Sequence, residues 1–172
     1  MHVKLKAAVV DKARRLVIKL GSSVVTTGAS LQRDNIGRLA AEMSALCEQG
    51  YEVIVVSSGA RAAGLPALKM TKIPSRIPEQ QAAAAVGQIN LMALYEEFFS
   101  DFGRHVGQVL LTAADIGDRT RYLNARHTME HLLAHGVVPV VNENDSVAID
   151  ELKFTTNGYA MGNPTDNNIP GL

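Results

Sequence analysis

Apolar and polar positions follow two different periods along this chain. Continuous apolar runs of strand length occur near residues 15–23, 50–60, 105–112 and 137–145. Between them, apolar residues recur every three or four positions over 36–50, 78–103 and 122–136, and each of these segments stops near a glycine. Short apolar runs predict buried strands, the wider spacing predicts helices, and glycine suits the position just after a helix end.

The order strand, helix, strand predicts right-handed crossovers and a mostly parallel sheet with helices on both faces. The fold class is therefore α/β, a three-layer αβα sandwich. The segment between Leu65 and Ile77 lacks a period and predicts a loop beside the ligand site. Residues 155–172 are rich in Asn, Gly and Pro, which predicts an irregular tail after a domain that spans 1–154.

Length, charge and cysteine content disfavour several classes of protein. A length of 172 residues suits one domain, and 17 basic residues balance 17 acidic ones, so no overall field favours nucleic acid or an acidic membrane. The chain has one cysteine, Cys47, which rules out an internal disulfide and suits a reducing compartment. No signal peptide or membrane span is visible in the sequence. We expect a cytoplasmic domain that binds neither nucleic acid nor membrane.

Small and polar residues follow three of the predicted strands. They are Gly21-Ser22-Ser23, Ser57-Ser58-Gly59-Ala60 and Asn142-Glu143-Asn144-Asp145. The carboxyl ends of parallel strands meet at one edge of a sheet, which is where open α/β sheets bind ligands. The sequence therefore predicts one polar ligand site built from all three segments.

Each of these segments also has a purely structural explanation. Lys19 lies inside an apolar run, where its ammonium either meets an anion or extends from an edge strand to solvent. Many strand-to-helix turns contain Ser and Gly, as at Ser58, and Asp145 has the residue type that caps a following element. The strand pattern alone does not decide between these alternatives, and the case for a site comes from their joint occurrence.

A second candidate site lies in the third predicted helix. The residues His127-Thr-Met-Glu-His131 fit the H-x-x-E-H pattern of some zinc peptidases, and His135 lies one turn further on. The same segment supplies Met129, Leu132 and Leu133 as a stripe facing the core, and no acidic third ligand follows. We therefore interpret the histidines as a solvated helix face. The sequence contains neither a P-loop nor a G-x-G-x-x-G motif.

Six segments together resemble the glutamate 5-kinases, a branch of the amino acid kinase family. They are Val17–Ser23, Val55–Ala60, Gln80–Gln88, Gln108–Thr112, Arg121–Arg126 and Val140–Asp145. The resemblance extends from about Lys12 to Phe154, in order and with natural spacing. It implies an amino acid kinase-like fold, truncated here, in which residues 1–154 form the amino-acid-binding part.

The resemblance also implies a reaction, in which ATP phosphorylates the side-chain carboxylate of L-glutamate in the first step toward proline. Mg²⁺ would be bound through the nucleotide. Lys19 would be the catalytic residue and would contact ATP phosphates together with Gly21 and Ser22. Glutamate would be bound by Ser58, Gly59, Ala60 and Asp145. No protein metal ligands are implied, and family members usually assemble as homo-oligomers and respond to proline as a feedback inhibitor.

After Phe154 the sequence departs from the family pattern. The family's Gly-Asp-Asn-Asp is replaced by Thr155-Thr156-Asn157-Gly158, so Asn157 alone matches the family's substrate-binding asparagine. The adenine- and ribose-binding half of the family does not follow before Leu172. Two interpretations remain, a glutamate 5-kinase or a non-catalytic module that binds glutamate or pairs with a full-length subunit. We expect the isolated chain to lack turnover.

Overall fold

The computed structural model describes residues 13–148. The strands are β1 (Arg15–Leu20), β2 (Thr26–Thr27), β3 (Ser30–Leu31), β4 (Glu52–Ser57), β5 (Val106–Leu111) and β6 (Val138–Glu143). The helices are α1 (Ser22–Val25), α2 (Arg33–Glu48), α3 (Ala60–Gly64), α4 (Ile77–Ser100), α5 (Ala113–Gly117) and α6 (Arg119–Ala134). The long elements match those that the hydrophobic pattern predicts, whereas the short hairpin and the one-turn helices carry no period and were not predicted.

The main sheet has the strand order β1-β4-β6-β5, and every neighbouring pair is parallel. The chain moves in one direction across the sheet from β1 to β4 to β5, and then returns to insert β6 between β4 and β5. With right-handed crossovers, this order places α2 and α4 on one face and α6 on the other. The predicted three-layer α/β fold is therefore confirmed.

The core lies between the sheet and the layer formed by α2 and α4. Its fully buried side chains are Ile36, Met43, Val53, Val55, Leu91, Tyr95, Phe99, Val138 and Val140. Burying each of the larger apolar side chains contributes roughly 1.5–3 kcal/mol to folding. This layer holds β4 and β6 in place, and these two strands deliver most of the polar residues of the site.

Two glycines allow α3 and α4 to touch through their backbones. A Cβ atom on Gly64 would lie 1.9 Å from the carbonyl oxygen of Ala83, and one on Gly87 would lie 1.8 Å from that of Ala60. No side chain fits at such distances. The contact fixes α3, and with it the turn that follows β4, against the long helix.

The prediction that β1 is a buried strand is wrong for one of its faces. Exposure alternates along β1: Leu20 is buried, whereas Val17 is 65% exposed and Lys19 is exposed. β1 is an edge strand, and α6, the helix on that face, packs mainly on β5 and β6. Sequence runs of apolar residues cannot reveal which strand occupies an edge.

The loop predicted between Leu65 and Ile77 and the apolar stripe predicted on α6 can also be compared with the structure. Residues 66–76 contain neither helix nor strand, as predicted for the loop. The core stripe predicted on α6 is wrong in degree, because no residue of α6 is buried and Met129, Leu132 and Leu133 are only partly covered. α6 covers one side of the sheet near β5, where a Cβ on Gly107 would meet Leu132 at 2.8 Å, and its outer face is solvated.

Candidate functional site

A cavity of about 590 Å³ lies at the carboxyl ends of the parallel strands. Its lining includes the predicted site residues Lys19, Ser22, Ser58, Gly59, Ala60 and Asp145. Gly21 is not among the lining residues, and Asn157 lies outside the described residues. The three strand ends that the sequence singled out therefore meet in one place, as the parallel arrangement requires.

The turn after β4 explains how Ser58 reaches this cavity. Gly59 has φ +98°, the left-handed region that favours glycine, and it caps the start of α3. A Cβ at Gly59 would also lie 3.1 Å from the Thr26 side chain. The two serines before it both line the cavity, and Ser57 is largely buried, with its Oγ 2.9 Å from the hydroxyl of Tyr95.

Burial raises the pKa of Tyr95, and the hydrogen bond with Ser57 opposes that rise. The phenol is therefore neutral at pH 7, and its bond to Ser57 is a structural tie between the β4 turn and α4. Of the two serines that line the cavity, Ser57 is the one whose hydroxyl this bond holds.

Lys19 reaches the cavity from the sheet edge. It is in register with Val56, one position before the pair formed by Leu20 and Ser57. Lys19 is exposed, it belongs to an edge strand, as one of the two interpretations expects, and it lines the cavity. That its ammonium meets an anion stays a prediction.

Gly21 lies just outside the lining, between β1 and α1. Its backbone is extended, with φ −72° and ψ 163°, and a Cβ there would meet nothing within 4 Å. Packing among the described residues thus does not require glycine at this position.

Asp145 lies on the opposite side of the site, in the segment after β6. It is 9% exposed and lies beside Arg61, whose Nε is 3.8 Å from Asp145 Oδ2. Arg61 Nη1 also donates to the Oε1 atom of Gln80 at 3.1 Å, and Gln80 is 3% exposed. Sequence reasoning missed both Arg61 and Gln80, although an arginine directly after Ser-Ser-Gly-Ala in an alanine-rich turn was a visible signal.

Asn142 anchors the end of β6 to α4. Its Nδ2 donates to Gln88 Oε1 at 2.8 Å, and its Oδ1 accepts from the amide of Glu143 at 2.9 Å. Asn142 and Gln88 are both 8% exposed. The buried Asn142 side chain therefore links β6 to α4 by a hydrogen bond and orients the Glu143-Asn144-Asp145 segment that follows.

The end of β5 closes the remaining side of the cavity through Thr112. Thr112 Oγ1 accepts from the Asp115 amide at 3.2 Å, and Asp115 Oδ2 accepts from the Thr112 amide at 2.8 Å, which is a capping box at the start of α5. The hydrogen bonds from Thr112, helped by Arg121, lower the pKa of Asp115. The carboxylate stays ionised and holds the start of α5 in place.

A more open groove of about 660 Å³ lies along α6 and is lined by three histidines, the two of the H-x-x-E-H segment and His135. All three are exposed, and Glu130 pairs with Arg126 at 2.9 Å. Within residues 13–148, no group of three or more His, Cys, Asp or Glu side chains has an arrangement that suits a metal ion. The 590 Å³ cavity is the better candidate, because charged and hydroxyl groups from four strands converge there.

Among the described helices, none combines the length and the apolar character needed to cross a bilayer. The model of the amino acid kinase family matches residues 14–160. The chain belongs to the amino acid kinase family.

Relatives within this family show which of its branches the chain resembles. Curated glutamate 5-kinases from Paraburkholderia phymatum and Geobacter metallireducens are 54% and 51% identical to the chain over 151 and 154 residues, or 87% and 89% of its length. The chain covers 41% of the length of each of these two relatives. The resemblance to glutamate 5-kinases that the motifs indicate is thus confirmed, over about two-fifths of those proteins.

A solved structure shows the same fold. The carbamate kinase of Giardia matches with a TM-score of 0.50 and 16% identity, over 76% of this chain and 58% of that one. At this identity the likeness concerns the fold and not the substrate.

Proposed function

We propose that this chain provides the glutamate-binding part, and one phosphate-contacting strand, of a glutamate 5-kinase. The reaction is transfer of the terminal phosphoryl group of ATP to the side-chain carboxylate of L-glutamate. The observation that supports it best is that Lys19, Ser58 and Asp145 line one cavity. Relatives that are 54% and 51% identical to the chain carry the name of this enzyme.

The acceptor needs no general base. A glutamate side chain has a pKa of about 4.3 and is already ionised at neutral pH. The task of the protein is to hold two anions in line and to offset the charge that spreads over the transferred phosphoryl group. The ammonium of Lys19 at the cavity rim suits this role.

Glutamate would occupy the side of the cavity nearest β4 and β6. The carboxylate of Asp145 would bind the substrate ammonium, and the Ser58 hydroxyl would donate to a carboxylate. Gly59 and Ala60 would bring backbone close to the ligand. Asp145 is buried, so its attraction for an ammonium is less screened by water than that of a surface carboxylate.

ATP phosphates would approach from the edge formed by β1 and α1. Lys19, Gly21 and Ser22 fit them, because the ammonium is exposed and a Cβ at Gly21 would point into open space. Mg²⁺ would arrive bound to the nucleotide and neutralise part of the phosphate charge. The described residues would then act on the phosphates through the ammonium and the backbone amides.

A second candidate function is that of a non-catalytic module, which binds glutamate or pairs with another subunit without turnover of its own. Binding needs only the part of the cavity that is lined by Ser58, Gly59, Ala60 and Asp145. Binding of glutamate is common to the kinase and to the glutamate-binding module, and turnover distinguishes them.

Calorimetric titration of the purified chain with L-glutamate tests the common claim. We expect saturable binding, and we expect Asp145→Asn to weaken it by about tenfold or more, because a buried charge-assisted contact is lost. Asp101→Asn is the matched control, since Asp101 is exposed and outside the cavity. Thermal unfolding of each variant confirms that the fold is retained.

An ADP-release assay on the same samples then separates the candidates. Glutamate-dependent ADP release supports the kinase, whereas binding without release supports the non-catalytic module. Absence of glutamate binding by the folded wild-type chain would overturn both the kinase and the glutamate-binding module, and would leave only subunit pairing.

A further inference from the structure

We propose that Arg61 binds the α-carboxylate of the amino acid substrate and thereby selects free α-amino acids. This inference rests on the proposed function and assigns one more residue of the same cavity. Arg61 is among the cavity-lining residues, next to Ser58, Gly59 and Ala60 in the chain.

The fold holds the guanidinium in a defined place. Arg61 lies in the first turn of α3, directly after the left-handed Gly59, and its side chain is 19% exposed. The buried amide oxygen of Gln80 accepts from Nη1 at 3.1 Å. Gln80 belongs to α4, and the glycine contact between α3 and α4 fixes the relative position of the two residues. An arginine anchored in this way loses little side-chain freedom when a ligand arrives.

The pairing with Asp145 has the geometry of a receptor for a zwitterion. Arg61 Nε lies 3.8 Å from Asp145 Oδ2, which is an ion-pair contact but longer than a hydrogen bond. The α-ammonium and α-carboxylate of an amino acid are likewise adjacent and of opposite sign. An amino acid that places its ammonium on Asp145 therefore brings its α-carboxylate toward Arg61.

The cations that line the cavity equal the carboxylates of glutamate in number. At pH 7 glutamate carries two carboxylates and one ammonium. The cavity lining contains the cations Lys19 and Arg61, and it contains the carboxylates Glu143 and Asp145. With Asp145 on the ammonium and Lys19 at the phosphoryl end, Arg61 is the cation for the α-carboxylate. A guanidinium is also the group that binds a carboxylate through two parallel hydrogen bonds.

A purely structural role for Arg61, as the counter-ion of Asp145, makes a different prediction. Loss of a counter-ion would weaken every ligand that uses Asp145 to a similar degree. Loss of a carboxylate receptor would weaken only ligands that possess an α-carboxylate. The ratio of two affinities therefore tests the role, and overall stability does not affect it.

The test compares L-glutamate with its α-amide, isoglutamine, which lacks the α-carboxylate charge. By calorimetry we expect the wild-type chain to prefer glutamate by about tenfold or more, as one charge-assisted hydrogen-bond pair provides. Arg61→Gln should reduce this preference to about twofold or less, mainly through weaker glutamate binding. Arg38→Gln is the matched control, since Arg38 pairs with Glu42 on the exposed face of α2 and should leave the preference unchanged.

The outcomes are separable. If Arg61→Gln retains the wild-type preference, the role of Arg61 is refuted while the glutamate site stands. If wild-type protein binds neither ligand, the proposed function fails and takes this inference with it. If Arg61→Gln does not fold, Arg61→Lys decides: it keeps the charge beside Asp145 but loses the planar fork, and an undiminished preference in that variant overturns the assignment.

Discussion

Single residues of the site differ sharply in their surroundings. Lys19 is exposed on an edge strand, and its neighbours do not depend on it for packing. Asp145 is buried beside Arg61, which is itself held by Gln80. Substitution at Lys19 should therefore act on ligands and leave folding nearly untouched, whereas substitution at Asp145 acts on both.

We expect Lys19→Met, in a form of the protein with turnover, to lower the turnover number by about 100-fold or more, because one preorganised charge at the transferred phosphoryl group is lost. The free energy of unfolding should change by about 0.5 kcal/mol or less. ADP release and urea denaturation measure the two effects. The control is Lys72→Met in the exposed loop before α4. A variant with full turnover would remove Lys19 from the mechanism.

The sequence alone was enough to predict several of the strand-end residues that line the cavity. Lys19 lies inside a recognisable run of apolar residues and Ser58 and Asp145 follow two others, and parallel strands end at the same edge of the sheet. Arg61 escaped prediction because its importance arises from a contact across the fold. Its partners, Gln80 and Asp145, lie on α4 and after β6, and no local period connects them.

At the scale of elements, the crossing of α3 and α4 controls the site. These two helices make the most extensive contact between any two elements in residues 13–148, and they touch through Gly64 and Gly87. α3 carries Ala60 and Arg61 into the cavity, while α4 supplies Gln80 and Tyr95 behind them. A change in the spacing of these helices would displace the site without altering any residue that lines it.

We expect Gly87→Ala to lower the free energy of unfolding by about 3 kcal/mol or more, because the new methyl group would overlap the backbone of α3. Glutamate binding should weaken as well. Gly117→Ala in α5 is the control: a Cβ there meets nothing within 4 Å, and alanine favours the helix by up to about 1 kcal/mol. Urea denaturation compares the two variants. Equal stability of Gly87→Ala and wild type would show that the helices are free to move apart.

The long elements could be predicted because each buries a periodic apolar face, whereas edges and short pieces could not. β1 has the apolar composition of a central strand, yet its position at the edge leaves Val17 exposed. The hairpin of β2 and β3 has two residues per strand, which is too short for any alternation to be visible. Strand order depends on the packing of the whole sheet and is not contained in any local window.

For the molecule as a whole, three carboxylates make the free energy of unfolding depend on pH in the acid range. The pKa of Glu96 is lowered by hydrogen bonds from His105 and Val106, that of Asp115 by Thr112, and that of Glu130 by Arg126. In each case the unfolded chain takes up the proton at a higher pH than the folded chain does. Their contribution to stability is therefore present above the ordinary pKa of about 4 and is lost as the pH falls through the lowered values.

We expect the free energy of unfolding of wild-type protein to fall as the pH is lowered from about pH 5 to pH 3, and Asp115→Asn to show a smaller fall, because the asparagine side chain does not titrate. Asp101→Asn, at an exposed position after α4, serves as the control. Urea denaturation at several pH values gives both slopes. A steeper fall in Asp115→Asn than in wild type would contradict the direction of the shift.

The insertion of β6 between β4 and β5 has a consequence for the newly made chain. Until β6 has left the ribosome, its two future neighbours have no hydrogen-bonded partner between them, and the slot they leave is open. Asp145, which we propose binds the substrate ammonium, emerges only after β6, so the proposed site is completed late in synthesis. Until β6 is available, the facing edges of β4 and β5 stay unpaired in the nascent chain and can associate with other chains. A chaperone that covers these edges would reduce this risk.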